Sequence, residues 1–354
     1  MNAPAHPSRH QPSKSSTSDD TYAMKPLNLF YDEPDPDRWF AGDRYPRRII
    51  RNLVRRNPRI SGQRRVFANL AAGLDRLGVD YRVNDYRYAQ RHPDEVACIV
   101  GKPNVLDQIP WHNPILFGAS IFSHPCDAPP NFLDFPIRRI LVPGEWVVQM
   151  WQPYYGDRVF AWPVGIDTEH WCPTPNQAKD IDILLYDKVR WEHDHFQSNL
   201  IAPIQQELER RRLKTAVIRY GFYEEKDFHA LVNRSKAMIF LCEHETQGIA
   251  YQQVLSCNVP ILAWNRGGEW RDPNFYPERV QFGPVSSVPY WDRRCGLTFA
   301  SEADFSSALE DFLEKANRKV FAPRDYVLEH LTLEHCAQQY LDHVVAVQEE
   351  STHG

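Results

Sequence analysis

Short runs of β-branched and aromatic residues alternate with amphipathic stretches along most of the chain. The stretch 63–77 spaces its apolar residues as one face of a helix does, and it stops at Gly78, a common C-terminal signal. Strands that alternate with helices are typical of βαβ units, which build parallel sheets. The pattern therefore predicts an α/β fold. Strands are expected near residues 27–31, 81–84, 97–101, 114–117, 139–142, 159–162, 181–186, 215–219, 237–241 and 260–264, and closing helices near 303–316 and 333–347.

The alternation is interrupted by a segment from 162 to 175 that holds three prolines and a glycine. A chain of 354 residues is long enough for two domains, each with its own core, so this segment is expected to link them. We predict a disordered tail over residues 1–25 and Rossmann-like domains over 26–172 and 173–325. A helix within 326–354 is expected to close the chain, with the hypothesis that it packs back on the first domain.

The composition indicates which classes of protein this chain can belong to. Hydrophobic residues make up 42% of the chain and charged residues 25%, as in globular proteins, and the net charge of −5 argues against general binding of nucleic acid. Seven cysteines lie far apart without a Cys-x-x-Cys pair, which suits a reducing compartment. No apolar run approaches the roughly 18 residues that span a bilayer, and the N-terminus lacks a secretory signal. We expect a cytoplasmic protein.

The segment after the predicted strand 237–241 carries the strongest functional signal. It turns polar and then begins a helix at about Gln247, whose N-terminal amides and positive dipole end suit a phosphate. Gly248 permits close approach of a ligand, and Glu245 lies where parallel sheets bind ligands. Gln253 shares a helix face with apolar neighbours, and a ribose diol would supply the partners that its amide needs. The alternative is that Gln253 pairs with a neighbouring loop and Glu245 is a solvated acid.

The segment Glu245-Thr-Gln-Gly-Ile-Ala-Tyr-Gln-Gln253 resembles the Glu-x7-Glu motif of the retaining glycosyltransferase family 4, also called glycosyltransferase group 1. That family's pattern reads Glu-Gly-Phe-Gly, then Glu-Ala, then a Cys-Gly-x-Pro-Val run. The segment 163–171 is similar to the family's interdomain segment, and 220–231 resembles the stretch where the nucleotide base packs. At the level of motifs the resemblance covers residues 140 to 345.

The resemblance implies a GT-B fold, two Rossmann-like domains facing each other across a cleft. It also implies sugar transfer from a nucleoside diphosphate sugar to a saccharide or lipid-linked acceptor, with retained anomeric configuration and no metal or other cofactor. Glu245 takes the place of the Glu that binds the donor sugar. Gln253 takes that of the Glu that holds the ribose, and it lacks the charge. The resemblance further assigns donor binding to Tyr220, Gly221, Phe222, Thr246, Gln247, Gly248 and Ile249.

Four further residues are candidates for the same site. In the family an Arg and a Lys beyond the first strand of the C-terminal domain meet the phosphates, and here Lys188 and Arg190 are the nearest counterparts. The family's N-terminal domain offers a glycine loop and a His towards the donor, for which Gly62 and His124 are the counterparts. With Glu245, Lys188 and His124 are the predicted catalytic residues. The alternatives are two surface cations, a glycine that only starts a helix and a histidine that is simply hydrogen-bonded.

Two other patterns in the sequence bear on metal binding and on membrane contact. Asp35-Pro-Asp37 and Asp180-Ile-Asp182 match the Asp-x-Asp of metal-dependent glycosyltransferases, but neither follows a strand with open coordination, so no metal site is predicted.

Nine arginines accumulate from Arg44 to Arg65 among aliphatic residues. The hypothesis is peripheral contact with the inner face of a membrane, and the alternative is a packed helix with a solvated basic rim.

Two functions other than sugar transfer stay open. The chain has Gln253 where the family has its second Glu, and the spacing of Lys188 and Arg190 does not match the family's. Both departures fit a non-catalytic homologue that binds nucleotide or glycan. A sugar-nucleotide epimerase of the same fold would use the same kind of site.

Overall fold

The computed structural model describes residues 25–32, 62–119 and 121–352. Their strands form two sheets in which every neighbouring pair is parallel. The strands of the first sheet are β1 (Leu27–Phe30), β2 (Tyr81–Val83), β3 (Ala97–Ile99), β4 (Ile115–Gly118), β5 (Ile137–Val142) and β6 (Val159–Ala161). Those of the second are β7 (Ile181–Asp187), β8 (Thr215–Arg219), β9 (Ser235–Leu241), β10 (Ile261–Trp264) and β11 (Gly296–Phe299).

The strand orders are β2-β1-β3-β4-β5-β6 and β11-β10-β9-β7-β8. Non-consecutive neighbours require crossovers, which in parallel sheets are made by helices or long connections. The helices are α1 (Gly62–Leu77), α2 (Tyr86–Arg91), α3 (Glu145–Tyr155), α4 (His193–Phe196), α5 (Ala202–Arg210), α6 (Glu225–Arg234), α7 (Ile249–Ser256), α8 (Glu302–Asn317), α9 (Pro323–His330) and α10 (Leu333–Thr352). The chain is thus α/β in both halves.

Each sheet is buried on both faces. Alternate residues of one strand point to opposite sides, so that Met238 and Phe240 of β9 belong to one apolar cluster, and Ile239 and Leu241 to another. Burial on both faces explains why the strands read as nearly continuous apolar runs rather than as alternating ones.

The last helix returns to the first domain. Tyr340, Leu341 and Val344 of α10 pack in one apolar cluster with residues of β1, β3 and α1. A Cβ atom at Gly73 of α1 would lie 2.5 Å from the carbonyl oxygen of Leu333, so a glycine is needed where the two helices meet. This helix therefore ties the two ends of the described chain together.

The connection from β10 to β11, residues 265–295, contains no helix, whereas the other connections between strands of the second sheet do. We call it the β10–β11 excursion. Its buried residues Trp270, Phe275, Val280 and Val285 belong to the apolar cluster of the first domain that contains Phe117, Phe132 and Trp151. A segment of the second domain therefore completes the core of the first.

Most predicted elements are confirmed to within a few residues, and the differences are local. The sequence prediction lacks β11, of which only the two end residues are buried, and α3, which contains Pro153. The predicted helix start at Gln247 was wrong by two residues, because Gly248 adopts a left-handed conformation with φ of 76° and α7 begins after it.

Several sequence predictions fall on other parts of the chain. The tail over residues 1–24, Asp35-Pro-Asp37 and the basic stretch 44–61 lie outside the described residues. Within the described ranges, no helix is both long and apolar enough to cross a bilayer.

Candidate active site

A cleft of about 660 Å³ lies between the two domains. Its walls come from the segments that follow β4 and β5 of the first sheet and β7, β8 and β9 of the second. The cleft therefore lies at the carboxyl ends of both sheets, where open α/β sheets bind ligands.

The segment that joins β9 to α7, Cys242 to Gly248, forms the floor of the cleft on the side of the second domain. Its charged and polar side chains are buried: Glu243, His244, Glu245 and Gln247 are each at most 9% exposed. Main-chain bonds hold it, since the Glu245 amide donates to Ser286 O at 2.9 Å and Trp146 Nε1 donates to Glu245 O at 2.8 Å. The indole reaches across from the first domain.

Lys188 and Glu245 form a buried ion pair in the cleft. The main chain of Lys188 is fixed by its amide, which donates to Leu241 O at 2.8 Å, and its Nζ lies 4.6 Å from the centre of the Tyr220 ring. Burial alone would lower the pKa of Lys188, but the Glu245 carboxylate outweighs it and the pKa is raised. Lys188 is therefore a cation at neutral pH.

Arg190 and His244 form a second polar group beside this pair. The amides of Arg190 and Trp191 donate to Glu243 Oε1 at 2.7 and 2.9 Å, which fixes the turn after β7. Arg190 Nη2 lies 3.1 Å from His244 Nε2, and Trp270 Nε1 donates to the same nitrogen at 3.0 Å. Burial, and then the nearby Arg190, lower the pKa of His244 to about 2, so the ring is neutral.

Ten of the thirteen predicted site residues line this cleft. They are Gly62, Lys188, Arg190, Tyr220, Glu245, Thr246, Gln247, Gly248, Ile249 and Gln253. Gln253 is only 7% exposed, as its position among apolar neighbours of the helix predicts. The fold therefore places the residues of the motif and the two cations, Lys188 and Arg190, in the same cleft.

The other three predicted residues do not lie along the cleft. His124 is buried, and its Nδ1 accepts a hydrogen bond from the Cys126 amide at 3.1 Å, so its ring caps a short 3₁₀ turn. Burial lowers its pKa, which keeps it neutral. Gly221 lies in the turn after β8, and Phe222 is 75% exposed on the outer surface.

Sequence reasoning missed the residues that the cleft takes from elsewhere. Trp146 and Trp151 of α3 and Trp270 and Asp272 of the β10–β11 excursion line it. Arg65 at the start of α1 pairs with Glu225 across the cleft. A signal for α3 existed in the apolar spacing after Gly144, but the excursion has no periodic pattern from which its position could be read.

The Asp180-Ile-Asp182 pair is occupied by neighbouring cations. Asp180 pairs with Arg234 at 2.6 Å, and Asp182 with Lys236 at 2.7 Å. Across the described ranges there is no group of three or more His, Cys, Asp or Glu side chains placed to hold a metal ion.

No family model and no curated protein matches this chain. Among solved structures, it is similar to the lipopolysaccharide outer core galactosyltransferase WaaB, with 9% identity, a TM-score of 0.50, and coverage of 91% of this chain and 99% of that one. WaaG, a glycosyltransferase involved in lipopolysaccharide biosynthesis, gives 12% identity, a TM-score of 0.49, and coverage of 90% and 99%.

A third neighbour is a structure of accessory secretory protein 1, 2 and 3 in Streptococcus pneumoniae, at 16% identity and a TM-score of 0.47. The match covers 75% of this chain but only 56% of that one, and for TarM, another neighbour, the share is 57%. Identities this low show the fold alone. Two parallel-sheet domains around a cleft and the overall match to WaaB show that the chain has the GT-B fold.

Proposed function

We propose that this protein transfers a sugar from a nucleoside diphosphate sugar to a saccharide or lipid-linked acceptor, with retention of anomeric configuration and without a metal ion. The observation that supports this best is the buried pair of Lys188 and Glu245, set at the carboxyl ends of β7 and β9 inside the interdomain cleft. A cation and a carboxylate in this place suit the two parts of such a donor, its diphosphate and its sugar hydroxyls.

The chemistry would be electrostatic. Negative charge builds on the diphosphate as the glycosidic bond breaks, and donors that are already in position stabilise that charge most in the transition state. Lys188 is charged at neutral pH, Arg190 supplies a second cation, and the main-chain amides from Thr246 to Gly248 add neutral donors. Glu245 accepts hydrogen bonds from sugar hydroxyls once Lys188 turns to the phosphate.

The remaining donor contacts are those that the resemblance implies, and for Gly221 and Phe222 they rest on it alone because neither residue lines the cleft. Gln253 would hold the ribose and the turn after β8 would hold the base, while Gly62 would let the main chain approach the donor from the first domain. The donor-binding set is Gly62, Arg190, Tyr220, Gly221, Phe222, Thr246, Gln247, Gly248, Ile249 and Gln253. His124 is left out, because its Nδ1 is engaged by the Cys126 amide.

The aromatic wall on the side of the first domain would keep water from the reacting sugar. Phe122 stacks on Trp151 with ring centres 4.9 Å apart, and both line the cleft with Trp146 and Trp270. Motion about the linker 163–175 would admit the substrates and then exclude water.

The test is a screen of nucleoside diphosphate sugars with candidate acceptors, with the products detected by mass spectrometry. Glu245→Ala should lower turnover of the active pair by about 100-fold or more. Glu314→Ala, which removes a surface carboxylate of α8 that pairs with Arg318, is the matched control and should leave it unchanged. Activity that survives Glu245→Ala would place the site elsewhere.

The same screen separates the rival functions. Nucleotides that bind without any donor being consumed would favour a non-catalytic binding protein, for which the neutral Gln253 is the specific argument. A donor whose sugar is epimerised and not transferred would favour an epimerase. Loss of turnover in a chelator, restored by a divalent cation, would contradict the metal-independent part of the proposal.

The basic stretch 44–65 is proposed to contact the cytosolic face of an anionic membrane, from which a lipid-linked acceptor would reach the cleft. Sedimentation with liposomes should show more binding to anionic than to neutral vesicles, and less as the salt concentration rises. Equal binding to both would remove the membrane from the proposal.

A further inference from the structure

Gln247 is buried in the cleft with unmade hydrogen bonds. The residue is 9% exposed and lines the cleft beside Glu245. Both its Oε1 and its Nε2 lack a hydrogen-bond partner among the described residues, although its main-chain oxygen accepts from Gln252 Nε2 at 2.7 Å. A buried amide without partners destabilises a protein, so such groups are rare unless a ligand completes them.

His244 carries a second unmade hydrogen bond in the same segment. Arg190 and Trp270 can only donate, and both meet the ring at Nε2, so Nε2 is the acceptor. The neutral ring therefore carries its proton on Nδ1. That nitrogen is buried and has no partner within the described ranges. Within the described part of the chain, the wall of the cleft thus carries one unpaired N–H donor on His244 and an unpaired donor and acceptor on Gln247.

We propose that Gln247 and His244 together recognise a hydroxyl group of the transferred sugar and thereby set which sugar is accepted. This inference rests on the proposed function. A hydroxyl both accepts and donates, so it can receive a hydrogen bond from Nδ1–H or Nε2–H and give one to Gln247 Oε1. A phosphate has no proton to give at neutral pH, and the cations Lys188 and Arg190 already suit it.

The decisive measurement compares two ligands on one variant. Gln247→Met keeps the length of the side chain and removes both polar atoms. Calorimetry should show roughly 10-fold weaker binding of the nucleoside diphosphate sugar, and unchanged binding of the nucleoside diphosphate that lacks the sugar. Gln206→Met makes the same change on the exposed face of α5 and should alter neither.

The outcomes distinguish the inference from the function on which it rests. If wild-type protein binds both ligands and Gln247→Met weakens both equally, or neither, the inference is overturned while the proposed function stands. Equal weakening would mean that the amide contacts the nucleotide. Wild-type protein that binds neither ligand overturns both. Because the variant loses an unpaired buried amide, its unliganded thermal midpoint should not fall, which separates a lost contact from misfolding.

Analogues and a second pair of variants identify the hydroxyl. One deoxy-sugar analogue should bind to wild-type protein about 10-fold more weakly than the full donor does. The same analogue should bind to Gln247→Met almost as well as the full donor does, because the amide that contacts this hydroxyl is already absent. His244→Asn keeps an N–H near the Nδ1 position, whereas His244→Phe does not, and both lose the acceptor for Arg190 and Trp270. His244→Asn should bind the nucleoside diphosphate sugar more tightly than His244→Phe does. Equal affinities of the two variants would remove His244 from the proposal.

Discussion

The strands β9 and β10 are neighbours and end at the same edge of the second sheet, yet their continuations differ in kind. The segment Cys242 to Gly248 is short, and it buries charged and polar groups beside the cleft. The β10–β11 excursion is long and carries Trp270 and Phe275 into the core of the other domain. One continuation holds the polar groups of the site and the other joins the two domains.

The difference concerns what each segment needs in order to be ordered. The short segment is held within its own domain by the pair of Lys188 and Glu245, and the Glu245 main chain also bonds to Ser286 of the excursion and to Trp146 of the first domain. The excursion gains its stability from apolar burial against α3 and the segment between β4 and β5, contacts that form only when the domains meet. Opening the cleft about the linker would expose these residues, so the apolar contacts favour the closed arrangement.

The largest expected effect comes from breaking the buried ion pair. Lys188→Met leaves the Glu245 carboxylate buried without its partner and should lower the free energy of unfolding by about 3–5 kcal/mol, measured by urea denaturation. Turnover should fall by about 100-fold or more under the proposed function. The double variant Lys188→Met/Glu245→Gln should regain most of the stability and none of the turnover. A single variant within 1 kcal/mol of wild type would show that the pair is solvated.

The excursion should respond differently. Phe275→Ala leaves a cavity between the domains and should lower the free energy of unfolding by about 3 kcal/mol. Nucleotide affinity of the folded protein should hardly change, because Phe275 does not line the cleft. Leu328→Ala, at an exposed apolar residue of α9, is the control. If Phe275→Ala lost as much nucleotide affinity as Lys188→Met, the excursion and the segment Cys242 to Gly248 would not act independently.

The two regions also differ in how far their structure could be predicted. The strand before Cys242 and the helix after Gly248 show local apolar patterns, and the carboxylate and cations lie within a few residues of strand ends. Local pattern together with the family resemblance was therefore enough to predict most of the residues that line the cleft. Fold class followed from the same patterns, because strands and helices alternate along the chain in both halves.

Contacts that are remote in sequence could not be read in this way. Trp270 meets His244 and a cluster of the first domain, and nothing in the spacing of residues 265–295 specifies either contact. The family resemblance predicted that His124 faces the donor. Its role depends on the Cys126 amide and on the Tyr154 ring, whose centre lies 5.2 Å away, and a motif does not contain such information.

A smaller effect should appear in the pH dependence of stability. The pKa of His244 falls to about 2 in the folded protein from 6.5, chiefly through burial. Below pH 6.5 the unfolded chain binds a proton that the folded ring does not, so stability falls as pH falls. His244 should contribute about 1.4 kcal/mol per pH unit to this loss. Urea denaturation between neutral and mildly acidic pH should show a shallower slope for His244→Asn, and parallel slopes would contradict a buried neutral ring.

The smallest effect is expected at the polar edge of the excursion. Arg279 Nη2 lies 2.6 Å from an Asp127 oxygen and joins the excursion to the first domain, but both side chains are well exposed. Asp127→Asn should therefore lower the free energy of unfolding by less than about 1 kcal/mol, and high salt should remove the difference. A double-mutant cycle with Arg279→Gln isolates the pair. A coupling above 1 kcal/mol would mean that charge, and not the apolar residues around Phe275, holds the domains together.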